Sequence, residues 1–121
     1  MRVRLEVHDG YLRVEVAGAF DADAARRGIG EMFEACAARQ LNRVLVDARG
    51  LEQDIGIAER FEIALNLAQR HAGQVRIAIL ADPARMTTKA LEDSACNRGV
   101  PVRTTTDVGE AYGFLGIEPP G

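Results

Sequence analysis

The 121-residue chain has no tryptophan, only two tyrosines and four phenylalanines, and a single lysine, Lys89. Arginine supplies 14 of its 15 basic residues, a skew that by itself marks no site. A net charge of −3 argues against general affinity for nucleic acid or an anionic membrane. The two cysteines, Cys36 and Cys96, have no C-x-x-C spacing and no histidine near them in sequence, so they read as cytosolic thiols packed as small hydrophobes. No apolar run approaches the roughly 20 residues that span a bilayer. The first residues alternate as a strand rather than forming a secretory signal, so a cytoplasmic protein without membrane insertion is expected.

Catalytic signatures are missing as well. His8 and His71 are lone histidines without a partner three or four residues away, which leaves no metal-ligand pattern and no expected cofactor. Gly28-Ile29-Gly30 has Phe33 where a nucleotide-binding pattern needs its third glycine, and it falls inside a helical stretch. Neither G-x-x-x-x-G-K-[ST] nor G-x-S-x-G occurs. No nucleophile–base constellation is visible, so no enzyme is expected.

What is present is a regular alternation of elements. Val3, Leu5 and Val7 alternate with Arg2, Arg4 and Glu6, the Asp9-Gly10 pair signals a turn, and Leu12, Val14 and Val16 repeat the pattern. The chain therefore opens with a β-hairpin, ended by Gly18. Asp21 or Asp23 caps a helix over about 22–38, with Ala25, Ile29, Met32, Phe33 and Cys36 on one stripe. Gly28 and Gly30 each weaken it by roughly 1 kcal/mol relative to alanine and suit close packing. Val44–Val46 reads as a strand covered on both faces. Ile57, Phe61, Ala64, Leu65 and Ala68 form the next helical stripe, closed by Gly73. Val75, Ile77, Ile79 and Leu80 give another buried strand.

Asp82-Pro83 begins a helix carrying Leu91, Ala95 and one of Met86 or Thr88, which Gly99 stops. Pro101–Thr105 is a more polar strand, suited to a sheet edge, and Asp107 with Glu110 has capping-box spacing before Val108, Ala111, Tyr112 and Leu115. The order β-β-α-β-α-β-α-β-α with right-handed crossovers predicts one α/β domain over 1–117, with a tail at 118–121. Its sheet is mixed, mostly parallel and five-stranded, with four helices.

The acidic turn after the central strand draws attention because α/β domains present their working edge outside the carboxyl ends of parallel strands. It holds Asp47, Arg49, Glu52 and Asp54. One reading makes Asp47 and Asp54 cation ligands or a base. The plainer reading makes Asp54 a helix cap, Glu52 a solvated charge, and Asp47 a partner of Arg49 or of backbone N–H groups. Asp82 and Arg85 follow the next strand and extend this rim. The hydroxyls of Thr87, Thr88, Ser94 and Thr104–Thr106 have ordinary local explanations in strands and helix starts.

With that order, Val44-Leu45-Val46-Asp47-Ala48-Arg49-Gly50-Leu51, Arg85-Met86 and Pro101–Leu115, the chain resembles the STAS superfamily, the anti-sigma-factor-antagonist fold. It looks closest to small bacterial STAS-like domains, some of them grouped with lipid-transfer CRAL-TRIO domains. The likeness implies a non-enzymatic regulatory module that binds a protein partner. It also implies a phosphorylatable serine in an Asp-Ser-Ser/Thr-Gly-like turn before the second helix, but the matching stretch here, Asp54-Ile55-Gly56-Ile57, offers no hydroxyl. Phosphorylation is therefore not carried over.

The expected partner surface comprises Asp47, Arg49, Glu52, Asp54, Ile57, Asp82, Arg85 and Met86, with the exposed side of the following helix. The alternative is a small-molecule or lipid-binding carrier, or a weak enzyme, using the carboxyl edge of the sheet. A phosphoacceptor receiver domain is set aside because Lys89 falls on a predicted helix instead of a late strand. The opening hairpin leaves a strand edge, so a homodimer is also possible.

Overall fold

A computed structural model describes residues 1–71, 74–85 and 89–119. The expectations for Gly73, Met86, Thr87, Thr88, Pro120 and Gly121 fall outside the described residues. The elements run β1 (Arg2–His8), β2 (Tyr11–Gly18), α1 (Ala22–Arg39), β3 (Arg43–Leu51), α2 (Ile57–Arg70), β4 (Arg76–Leu80), a 3-10 turn (Pro83–Arg85), α3 (Ala90–Asn97), β5 (Val102–Thr105) and α4 (Val108–Leu115). The five strands form one sheet in the order β1-β2-β3-β4-β5; β1 and β2 are antiparallel and the later pairs parallel. The predicted mixed, mostly parallel sheet is thus present, and the polar β5 lies at an edge.

Because the strand order never reverses, each right-handed crossover falls on the same side. Ile29, Met32 and Cys36 of α1, Ala64 and Leu67 of α2, and Leu91 and Ala95 of α3 accordingly share one core with Leu12, Val14, Val44, Ile77 and Val102. The opposite face is covered by α4 alone, whose Ala111, Tyr112 and Leu115 pack on Tyr11, Leu45 and Ala78. Local chemistry fixes the helix ends. The Asp21 carboxylate accepts from the backbone N–H of Asp23 and Ala24 at the start of α1, and Asp107 accepts from Glu110 at the start of α4. Gly28 lets α1 lie close to β1: a methyl there would stand 3.3 Å from the Val3 side chain.

One irregularity decides where the end of β3 points. Glu15 pairs with Asp47 but Ala17 pairs with Gly50, so Ala48 and Arg49 together oppose Val16. This bulge inserts one residue and reverses the alternation beyond it. Asp47 stays on the α4 side with Leu45, whereas Leu51 turns under the helices. Gly50 fits beside β2 because a methyl at that position would lie 2.9 Å from Ala17 Cβ.

Three expectations need correction. The inward stripe of α2 carries Arg60, Ala64 and Leu67, while Ile57, Phe61 and Leu65 face outward. Asp54 does not cap α2; Gly56 occupies the cap without a side-chain bond. Asp82-Pro83 starts a 3-10 turn, with Asp82 Oδ1 accepting from Ala84 N at 2.8 Å, and α3 begins separately at Ala90.

Candidate functional site

The carboxyl edge on the helix side is organised by Arg60, a residue that sequence reasoning missed. Placed on the inner stripe of α2, it is only 7% exposed. Its guanidinium donates to Ile55 O at 2.8 Å, to Asp54 Oδ1 at 2.6 Å and to Arg85 O at 3.3 Å. Arg85 in turn donates from Nε to Leu51 O at 2.8 Å. Two arginines therefore tie the end of β3, the loop before α2 and the 3-10 turn into one block. The backbone carbonyls of Leu51, Ile55 and Arg85 thereby gain side-chain donors. The available signal was register: Arg60 is four and seven residues before Ala64 and Leu67, the two small or apolar residues that pack inward.

With Arg60 inside, the bulky apolar residues of α2 turn out. Ile57, Phe61 and Leu65 are 59%, 47% and 42% exposed, and their four-residue spacing makes one continuous strip. Phe61 also lines a groove against α3 with Ala90, Asp93, Ser94, Asn97 and Arg98. Charged and polar groups thus rim an apolar strip, the composition of a partner-contact patch. Glu52, Asp54, Ile57, Asp82 and Arg85 lie along this edge, with Glu52 exposed and its backbone N–H donating to Gly18 O at 3.0 Å.

Asp47 and Arg49 are elsewhere. Asp47 points to the α4 side of the sheet, away from α2, and accepts from Arg13 at 2.7 Å and from Arg49 Nε and NH2 at 3.0 and 2.8 Å. The backbone N–H of Arg49 adds a bond at 3.2 Å. The Arg49 side chain, opposed by burial, holds the Asp47 carboxyl below the ordinary range, with the nearby charges of Arg49 and Arg13 assisting. Asp47 thus pairs with Arg49 and with a backbone N–H group, and the residues of the expected surface divide between two faces of the sheet. Opposite charges continue across β1 and β2 through Arg13–Glu15, Arg4–Glu15 and Arg4–Glu6, and His8 Nε2 lies 3.2 Å from Glu6. At the α4 margin Tyr11 and Tyr112 meet hydroxyl to hydroxyl at 3.3 Å, and burial, then Tyr11, pushes the Tyr112 phenol up to about 12.

The remaining candidates have local partners. Cys36 is buried, which raises its thiol pKa, while Cys96 is exposed instead of packed inside and donates to Val102 O at 3.3 Å. His71 caps α2, with Nε2 at 3.0 Å from Val75 O. Thr104 Oγ1 is buried without a hydrogen-bond partner among the described residues. No group of three or more histidine, cysteine or acidic side chains among these residues is placed to hold a metal, and no helix among them is long and apolar enough to cross a membrane.

Comparison with solved structures places this architecture. The crystal structure of an anti-sigma factor antagonist from Mycobacterium paratuberculosis matches with a TM-score of 0.64 at 19% identity, over 95% of this chain and 93% of that one. The fold is STAS-like. The anti-sigma factor antagonist SpoIIAA in its unphosphorylated form aligns over 96% of this chain and 100% of its own, at 14% identity and a TM-score of 0.47. No protein-family model matches the sequence, and neither does any curated protein. The STAS-like fold places the turn Asp54-Ile55-Gly56-Ile57 at the start of α2, beside the outward apolar strip.

Proposed function

We propose that this STAS-like chain is a non-enzymatic, cytoplasmic regulatory module that captures a protein partner on the α2 edge. The observation that carries the reading is the outward strip of Ile57, Phe61 and Leu65. Three large apolar side chains in one row keep much of their surface in water, and burying that surface against another protein removes it from water. Glu52, Asp54, Asp82 and Arg85 supply the rim that orients the partner; Met86, expected from the sequence in the same set, lies outside the described residues. Asp47 and Arg49 leave the docking set and serve the opposite sheet face. The likeness to an anti-sigma factor antagonist makes an anti-sigma factor, or a protein in that position, the partner class to test first. The turn before α2 has no hydroxyl, so capture is not switched by phosphorylation there.

The test is site-specific photo-cross-linking in the source cells, with the reactive group at position 61 and, as control, at position 4. The expected result is a discrete protein adduct from position 61 alone, abolished by Ile57→Glu. Equal labelling from both positions, or an adduct unaffected by Ile57→Glu, overturns the assignment.

A further inference from the structure

We infer that the helix-covered layer binds a small neutral apolar molecule, of the size of one aromatic ring or a short alkyl chain. The space is a cavity of about 120 Å3 between Val14, Val46 and Ile77 of the sheet and Ile29, Leu67 and Leu91 of the helices. Protein interiors are close-packed, with few voids larger than a water molecule. This space is larger than such voids and is a half-open cleft reaching into the core, not a sealed cavity. An engineered cavity of about 150 Å3 with a Leu/Ile/Phe wall stays dry and takes benzene or xenon.

The wall decides the chemistry. Each described residue lining the cavity is apolar or glycine, so a charged headgroup would be stripped of water without a partner. Buried water needs two to four polar partners, which this wall does not provide. Volume sets the upper limit, since sites for larger ligands run from about 300 Å3; a ring of about six carbons fits and a full lipid chain does not. A route of access is present as well. Phe20, Ala25, Ile29 and Ile63 line both this cavity and a groove between α1 and α2 that carries Arg26, Glu59, Glu62 and Asn66. Phe20, half-buried just ahead of α1, stands where the two spaces meet. An occupant would touch Ile63 and Leu67 on the inner side of α2, directly behind the outward strip. The assignment stands independently of the partner-docking reading.

Benzene titrated into methyl-labelled protein tests it. The expected result is saturable shifts concentrated at the methyls of Ile29, Leu67, Ile77 and Leu91, and a loss of affinity of at least tenfold in Ala25→Leu, which fills the cavity from its groove side. Shifts that never saturate, that centre on Phe61 and Leu65 instead, or that persist unchanged in Ala25→Leu overturn the inference. Should Ala25→Leu fail to fold, xenon binding to the unaltered protein decides. A saturable perturbation of the same four methyls supports the site, and its absence overturns it.

Discussion

Asp47 is a carboxylate that two guanidiniums and a backbone N–H hold in its charged form. Its pKa is lowered from 3.8, so it contributes stability that is present above that value and lost as pH falls through the lower, folded-state value. Asp47→Asn leaves Arg13 and Arg49 facing an uncharged amide and should cost about 1–3 kcal/mol at pH 7. Urea unfolding of both proteins at falling pH checks this: the gap should narrow below pH 3.8, and a gap independent of pH refutes the electrostatic account. Arg60 is the second residue whose environment sets its role. Arg60→Met removes bonds to Ile55 O, Asp54 and Arg85 O and should cost about 2–4 kcal/mol, with faster hydrogen exchange over 51–56. Of these two, Asp47 was legible in the sequence because its partner Arg49 is two residues away. Arg60 was not, since its acceptors come from two loops that only the fold brings together.

Helix α2 shows why elements are easier to find than to orient. Its existence follows from apolar residues at helical spacing, but those residues include two competing rows. Ile57, Phe61 and Leu65 make the row of larger side chains, and the stripe expected from the sequence joins them to Ala64 and Ala68. The fold selects the row with Ala64, where the helix approaches the sheet, and Arg60, whose head satisfies loop carbonyls. The two orientations predict opposite mutational results. Leu67, 3% exposed, should cost about 2–5 kcal/mol when changed to alanine, whereas Phe61→Ala should stay within about 0.5 kcal/mol. Chemical denaturation of the pair distinguishes them, and a larger loss at Phe61 would reverse the helix. The bulge in β3 was equally hidden: alternation through Val44-Leu45-Val46-Asp47 gives the strand, but nothing local announces that Ala48 and Arg49 share one partner. That single insertion sends Leu51 under the helices and separates Asp47 from the edge it was expected to join.

At the scale of the whole molecule, the element order read from the sequence carries the topology, because unidirectional winding places α1, α2 and α3 on one side. The same winding leaves α4 to cover the other side, and β1 is reached by none of its core contacts. The free edge of β1 is therefore where the chain meets a problem common to open sheets, an unpaired row of backbone groups that invites a second strand. Arg2, Arg4 and Glu6 stand along that strand, with Arg4 2.8 Å from Glu6 and 3.7 Å from Glu15. Ion pairs this exposed add little to folding; their effect is on association, since a second copy pairing edge to edge must bring these charges together and desolvate them. Replacing all three by threonine, a residue suited to strands, should leave folding stability within about 1 kcal/mol while increasing self-association. Sedimentation velocity over a range of concentrations reads this directly. A triple variant that sediments like the unaltered protein at each concentration would mean that the charges do not guard the edge, and that any pairing of two copies is governed by another surface.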